Sequence, residues 1–436
     1  MTVSETIDKM SALQSVRPAT AGAKGSVVIV GGGVIGITCA WYLHRDGWNV
    51  TVMDRAAIGG ACSFGNCGLV CPSHVLPLTE PGAFKDAFQS IFKPNSPFRV
   101  KPQLNPRLWL WMLKFAGRCN RQSMLQAAEG IQSLLHSSMT EYHQLIQQAG
   151  LNCEWVEQGL LFAYQSKRAL DAYAPTNELL TQQFNEPAKY LTGDELVQLE
   201  PALRENLAGA WYYQHDAHLR PNRLVQEMKR RLENEGARFL EQTEPQKING
   251  TGATATSIQA GRETLAADAF LFACGAWTPM MSEYLGCRVP IQPGKGYSMT
   301  FKRPSLCPSI PIIFPEHRVA VTPMQSALRL GSIMEFAGYD ETMRPDRLRL
   351  LTDGAKHYLK QMPESAPDEK WYGWRPMTYD SLPVIDISPR WSNVWIAAGH
   401  NMLGLTMAPG TGRLVSEMIA QHTPHIDPKP FSVSRF

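Results

Sequence analysis

The apolar positions of the chain fall into runs whose spacing separates strands from helices. Residues 27–30 are four consecutive apolar side chains, the pattern of a parallel strand buried on both faces. A helical spacing follows through Ile37, Ala40, Trp41 and Leu43, and a second apolar strand covers 49–53. Across 123–150 the residues Leu125, Ala128, Ile131, Leu135, Met139, Tyr142 and Ile146 recur at steps of three and four, which predicts an amphipathic helix ended by a glycine. A further helix is expected over 221–235, with strands at 238–242 and 269–277 and again at 289–300, 318–323 and 328–336. This order predicts an α/β protein: a three-layer Rossmann-like domain assembled from separated segments, with a mixed or antiparallel-sheet domain of α+β character inserted. The expected division is a polar extension at 1–25, a dinucleotide-binding domain at 26–80, 205–288 and 374–425, and a substrate or cap domain at 81–204 and 289–373.

The junction of the first strand and helix reads Gly31-x-Gly33-x-x-Gly36. Gly31 permits a tight turn, Gly33 leaves room for a diphosphate, and Gly36 lets helix and strand pack closely. The first N–H groups of the helix, from Val34 and Ile35, face the phosphates. Asp54 stands 18 residues past Gly36, at the end of the second strand, where an acid accepts hydrogen bonds from ribose hydroxyls. This segment by itself fits NAD as well as FAD. A second apolar run at 393–398 breaks into another glycine-rich helix start at 399–412, so one long cofactor is gripped from both ends of the chain. That combination points to FAD. The strand at 269–277 brings Cys274, Gly275 and Trp277 to the same sheet edge, and Arg55 follows Asp54.

Composition narrows the alternatives. With 436 residues, 44% hydrophobic and 19% charged, the chain is an ordinary globular one with room for two cores, and a net charge of +3 gives no case for nucleic acid. Nine scattered cysteines read as reduced thiols, which implies a cytoplasmic setting, and Cys62, Cys67 and Cys71 do not have a zinc spacing, so no metal is expected. No window is long and apolar enough for a transmembrane helix. Residues 82–121 carry eight Lys or Arg against one acid, Asp86, with interleaved aromatics such as Phe84, Trp109, Trp111 and Phe115. The first reading of that stretch is a solvated face over a packed aromatic core. The second is a surface lying on the anionic inner face of the cell membrane.

Together, GGGVIG with Asp54, Ser63-x-x-Asn66-x-Gly68-Leu69, the segments 199–203 and 290–300, Gly-Trp-Arg375-Pro and the 398–412 glycine segment carry a likeness. The chain resembles the D-amino-acid oxidase-like flavoproteins, and most closely their bacterial D-amino-acid dehydrogenases, over about residues 26–436. The resemblance implies oxidative deamination of a D-amino acid by hydride transfer from Cα to flavin N5, giving a 2-oxo acid and ammonia. It implies electrons passed to a quinone or other carrier. An oxygen-using oxidase of glycine, sarcosine or D-amino acids, or a D-hydroxyproline dehydrogenase, is the alternative within enzymes, and a flavin-bound partner-binding protein the alternative outside them.

By the same resemblance Arg375 binds the substrate carboxylate, for which a guanidinium offers two parallel N–H bonds. Ser63, Asn66, Gly68 and Leu69 belong to the flavin-side loop. The turn from Gly399 through His400, Leu403, Gly404, Leu405 and Thr406 directs a helix start at the flavin. His400 is expected mainly to shape that turn, with a role in proton acceptance second. His74, and Glu316, His317 or Arg318 from the inserted sheet, are lesser candidates for reaching the substrate. Pro245 stands where relatives place a valine at the adenine, which removes one N–H and leaves a carbonyl. The Lys-Pro-Cys of covalent sarcosine oxidases is missing, so the FAD is expected to be noncovalent.

Overall fold

The computed structural model describes residues 24–83, 96–101 and 104–436. Most of the expected extension, 1–23, and the part of the basic aromatic stretch holding Phe84 and Asp86 lie outside these residues.

Six strands form the first sheet, in the order Val384–Ile387, Val394–Ala398, Ala269–Phe272, Gly25–Val30, Trp48–Met53, Arg238–Leu240. All neighbours are parallel except the pair at the Val384–Ile387 edge. Val27, Ile29, Leu271 and Phe272 are buried on both faces, which explains the unbroken apolar runs. The expected strand at 269–277 stops at Phe272, because Gly275 turns into the left-handed region (φ +53) and opens a 3-10 segment.

Against this sheet packs the helix Gly404–Ile419, buried on nearly every side. Its Pro409 has no N–H to give the Leu405 carbonyl, and the Tyr142 hydroxyl donates to that carbonyl at 2.7 Å instead. Tyr142 comes from the long helix Arg121–Gln147, whose buried stripe contains Met124, Leu134 and Leu145 besides the expected Ala128, Ile131 and Leu135. A Cβ at Gly412 would come within 2.8 Å of the Thr38 backbone, so this contact requires glycine.

The second sheet has nine strands and is mainly antiparallel, with parallel pairings at Ile312↔Leu161 and Met334↔Phe98. Its pairings run past the expected boundaries at 205 and 374. Gly209–Tyr213 pairs on one side with Leu160–Tyr164 and on the other with Lys189–Thr192, so it belongs here and not with the dinucleotide half. Glu369–Met377 pairs along Gln292–Lys302, placing Arg375 opposite Gly294 inside the second sheet.

Candidate active site

A cavity of about 480 Å³ opens at the carboxyl ends of the parallel strands, where an open α/β sheet admits a ligand. A Cβ at Gly31 (φ +107) would sit 2.5 Å from the Ala273 carbonyl, and one at Gly36 would sit 1.8 Å from the Gly31 carbonyl. Both glycines are needed to close strand onto helix. Gly33 differs: its Cβ position meets only Ser63 Oγ, at 3.5 Å, beside the cavity. The helix Val34–Arg45 has no side-chain N-cap and no acid in its first turn, and the Val34 N–H donates to Ser63 Oγ at 2.9 Å. The helix Gly404–Ile419 likewise starts without a side-chain cap, and its Gly404 and Leu405 line the same cavity. Two helix N-termini therefore present donors and positive dipole ends to one space. Asp54 accepts from Gly32 N at 2.7 Å and Ala56 N at 2.8 Å, and burial holds its carboxyl above the usual range. One lone pair on each oxygen is left for hydroxyls.

Arg375 also borders this cavity. Its Nη1 donates to the Ile333 carbonyl at 2.9 Å and Nη2 to the Ser332 carbonyl at 3.3 Å. Ser332 (φ +109) and Ile333 (φ +52) form a bulge in the left-handed region, conformations that cost about 1–3 kcal/mol each and here turn two carbonyls toward the guanidinium. A second cavity, of about 720 Å³, is bounded by that bulge, by Phe162, Phe336 and Trp111, and by His74, Glu80 and Arg318. Met402 lines both cavities. Arg375 thus stands between a space lined by helix N-termini and a space lined mainly by apolar side chains.

Residues 26–418 match the family described as FAD dependent oxidoreductase. The chain belongs to that family. The D-amino acid dehydrogenase of Granulibacter bethesdensis is 29% identical over 416 residues, 94% of this chain and 99% of the relative. The D-amino acid dehydrogenase of Agrobacterium fabrum is 29% identical over 424 residues, 94% of this chain and 99% of the relative. In fold, the glycine oxidase structure from Geobacillus kaustophilus superposes with a TM-score of 0.74 at 22% identity, covering 94% of this chain and 99% of that one.

The cofactor of this FAD dependent family fits the first cavity: anions suit two uncapped helix starts, a diphosphate needs the open Cβ position of Gly33, and ribose hydroxyls suit Asp54. When bound, FAD supplies a two-electron acceptor. Among the residues expected from the sequence, Gly31, Gly33, Val34, Ile35, Asp54, Arg55, Ser63, Asn66, Pro245, Cys274, Gly275, Trp277, His400, Gly404 and Leu405 line this cavity. Arg55 lies over the Trp277 ring at 4.1 Å, and the Pro245 carbonyl accepts from the Tyr284 hydroxyl at 3.1 Å. Gly36, Gly68, Leu69, Gly399, Leu403 and Thr406 stand behind the lining. Gly68 (φ +81) turns the loop and Thr406 Oγ1 donates to the Leu69 carbonyl at 3.3 Å. Gly399 (φ +82) and Leu403 bend and start the turn.

Asn401 was not anticipated. Its amide donates to the carbonyls of Ser381 and Gly399, both at 2.9 Å, and accepts from Thr378 N at 2.9 Å. It ties the turn to the strand that carries Arg375. His400 serves the same end: it is buried, its Nε2 meets Thr411 Oγ1 at 3.0 Å, and burial holds its pKa down to about 3. A ring so placed is neutral and helps fix the turn. Glu316 is engaged by the Gln165 and Ser166 N–H groups, and His317 by Tyr358 at 3.0 Å, so of that trio Arg318 alone borders the second cavity.

His74 lines the second cavity, with burial lowering its pKa to about 4. Behind it lies Asp216, which accepts from Ser73 Oγ at 2.6 Å and Ser73 N at 3.2 Å. Cys71, His74 and Asp216 each place a ligand-capable atom within 4.8 Å of the others, and each Asp216 oxygen accepts one hydrogen bond from Ser73.

Proposed function

We propose that the protein is an FAD-dependent dehydrogenase that oxidatively deaminates a D-amino acid to a 2-oxo acid and ammonia, passing electrons to a quinone or similar carrier. The observation that carries this is Arg375, held by two carbonyls at the junction of the two cavities with three of its five N–H donors left over among the described residues. A carboxylate on that fork positions the substrate so that its side chain points into the second cavity. The D-amino acid assignment draws on the names of the relatives.

Anaerobic mixing of the yellow protein with panels of D- and L-amino acids, glycine, sarcosine and hydroxyprolines tests the reading. Bleaching of the flavin by D-amino acids, with little peroxide when oxygen is admitted, is the expected result. Bleaching by glycine or sarcosine alone, or abundant peroxide, would replace it with an oxidase.

The carrier is reached at a membrane. The helix Pro106–Arg118 turns Trp111, Met112 and Phe115 into the second cavity and leaves Leu110 and Leu113 57% and 67% exposed, beside Arg107 and Lys114. Exposed leucines flanked by cations suit an anionic bilayer surface. Leu110→Glu/Leu113→Glu should stop co-sedimentation with vesicles containing anionic lipid while flavin content stays normal; unchanged sedimentation would remove the membrane contact. No helix among the described residues is long and apolar enough to cross a membrane.

A further inference from the structure

Hydride removal from an amino acid requires the substrate ammonium to lose a proton first. We propose that His74, Ser73 and Asp216 form the relay that takes this proton out of the second cavity and stores it on the Asp216 carboxylate; this rests on the amino-acid reading above.

The hydrogen-bond directions define the relay. Ser73 Oγ has one hydrogen, and it is directed at Asp216 Oδ2, 2.6 Å away. The same oxygen lies 3.3 Å from His74 Nδ1 and, its proton being committed, can only accept there. Nδ1 therefore carries the ring proton, and Nε2 keeps a lone pair on a ring that lines the second cavity. Transfer proceeds by one shift along the chain. The ammonium N–H bond breaks and an Nε2–H bond forms. Nδ1 passes its proton to Ser73 Oγ, and the serine proton moves to Asp216 Oδ2. The substrate ends as a neutral amine, His74 as the other neutral tautomer and Asp216 as a carboxylic acid.

The surroundings assign the roles within the chain. His74, with a pKa near 4, cannot hold the proton at neutral pH and acts as a conduit. Burial raises the Asp216 pKa to about 7, against the lowering effect of its bonds to Ser73 and Cys71, and the Glu186 charge raises it further. Tyr173 and Tyr213 also face Asp216, and burial keeps both protonated. The charged groups of the cavity itself are Glu80 and Arg318. The acceptor is thus filled below about pH 7 and open above it, so flavin reduction should rise through a limb near pH 7. Asp216 acts through Ser73 and His74 and is a positioning residue; His74 is the group that meets the substrate.

The test is rapid-mixing flavin reduction by a D-amino acid across pH, with infrared spectroscopy of the holoenzyme's carboxyl groups. In the wild type a carboxylic-acid band should vanish as pH rises through about 7, and Asp216→Asn should lack it. Asp216→Asn and Ser73→Ala should each shift the kinetic limb upward by at least about one pH unit, toward ionisation of the substrate's own amine, and Ser73→Thr should restore it. An unmoved limb in both variants, or no titrating band, overturns the relay. Loss of the limb on dialysis against a chelator would assign the trio to a cation and equally overturn it. If the band titrates but no amine reduces the flavin, the amino-acid reading fails and the relay to a substrate falls with it, an outcome distinct from an unmoved limb.

Discussion

Arg375→Ala is expected to lower kcat/KM for flavin reduction by roughly 30-fold to several thousand-fold, a loss of about 2–5 kcal/mol, as when one partner of a desolvated charge pair is removed. Lysine should not restore it, because one ammonium cannot hold two carbonyls and a carboxylate together. The second sheet supplies a subtler version. A Cβ on Gly296 would fall 2.1 Å from Arg375 Nη1, and that atom is the end of a flexible side chain that can swing away. Gly296→Ala should therefore fold normally, push the guanidinium off Ser332 and Ile333, and raise KM with less effect on flavin content. Stopped-flow reduction of both variants over a range of substrate concentrations separates the two. Wild-type kinetics in Arg375→Ala would show that the carboxylate is bound elsewhere, with Arg318 the next cation bordering the second cavity.

The dinucleotide half was legible because its signals are local. A buried parallel strand must be apolar throughout, a tight turn needs Gly31, and the acid at 54 follows at a fixed offset. The same applies to the long helix, whose stripe from Ala128 to Leu135 was read from spacing alone. What could not be read depends on partners distant in sequence. Asp216 meets Ser73 across 143 residues, and nothing around either residue signals the other. The strand Gly209–Tyr213 is short, and only its two neighbours in the sheet decide which domain it joins. The bulge at Ser332 and Ile333 is a backbone event on two residues with no special turn chemistry. A further signal is charge inside strands: Lys295 and Arg329 both stand within strands and are almost completely buried. A buried charge must be paired or solvated by protein. Arg329 donates to the carbonyls of Phe64 and Asn66 at 3.1 and 2.7 Å, which fastens the flavin-side loop to the second sheet.

The glycines of the first turn divide into those that close the fold and the one that leaves space for the ligand, and substitution should separate them. At Gly36 the obstacle to a Cβ is a backbone oxygen 1.8 Å away, which cannot move without parting strand from helix. Gly36→Ala should therefore lower stability, by about 1–3 kcal/mol or more for an overpacked contact, and depress Tm even when FAD is in excess. Gly33 has an extended conformation (φ −71, ψ 179) open to any residue, and its Cβ position is in ordinary contact with Ser63 Oγ alone. Gly33→Leu should fold yet fill the space before the helix start, and each charge-assisted bond to a phosphate lost there costs about 1.5–3 kcal/mol. The protein should purify colourless, with a Tm equal to that of deflavinated wild type and no longer raised by added FAD. A yellow Gly33→Leu protein with wild-type flavin content would place the diphosphate away from this helix. The uncapped start of the Gly404–Ile419 helix would then be the remaining pair of donors to carry it.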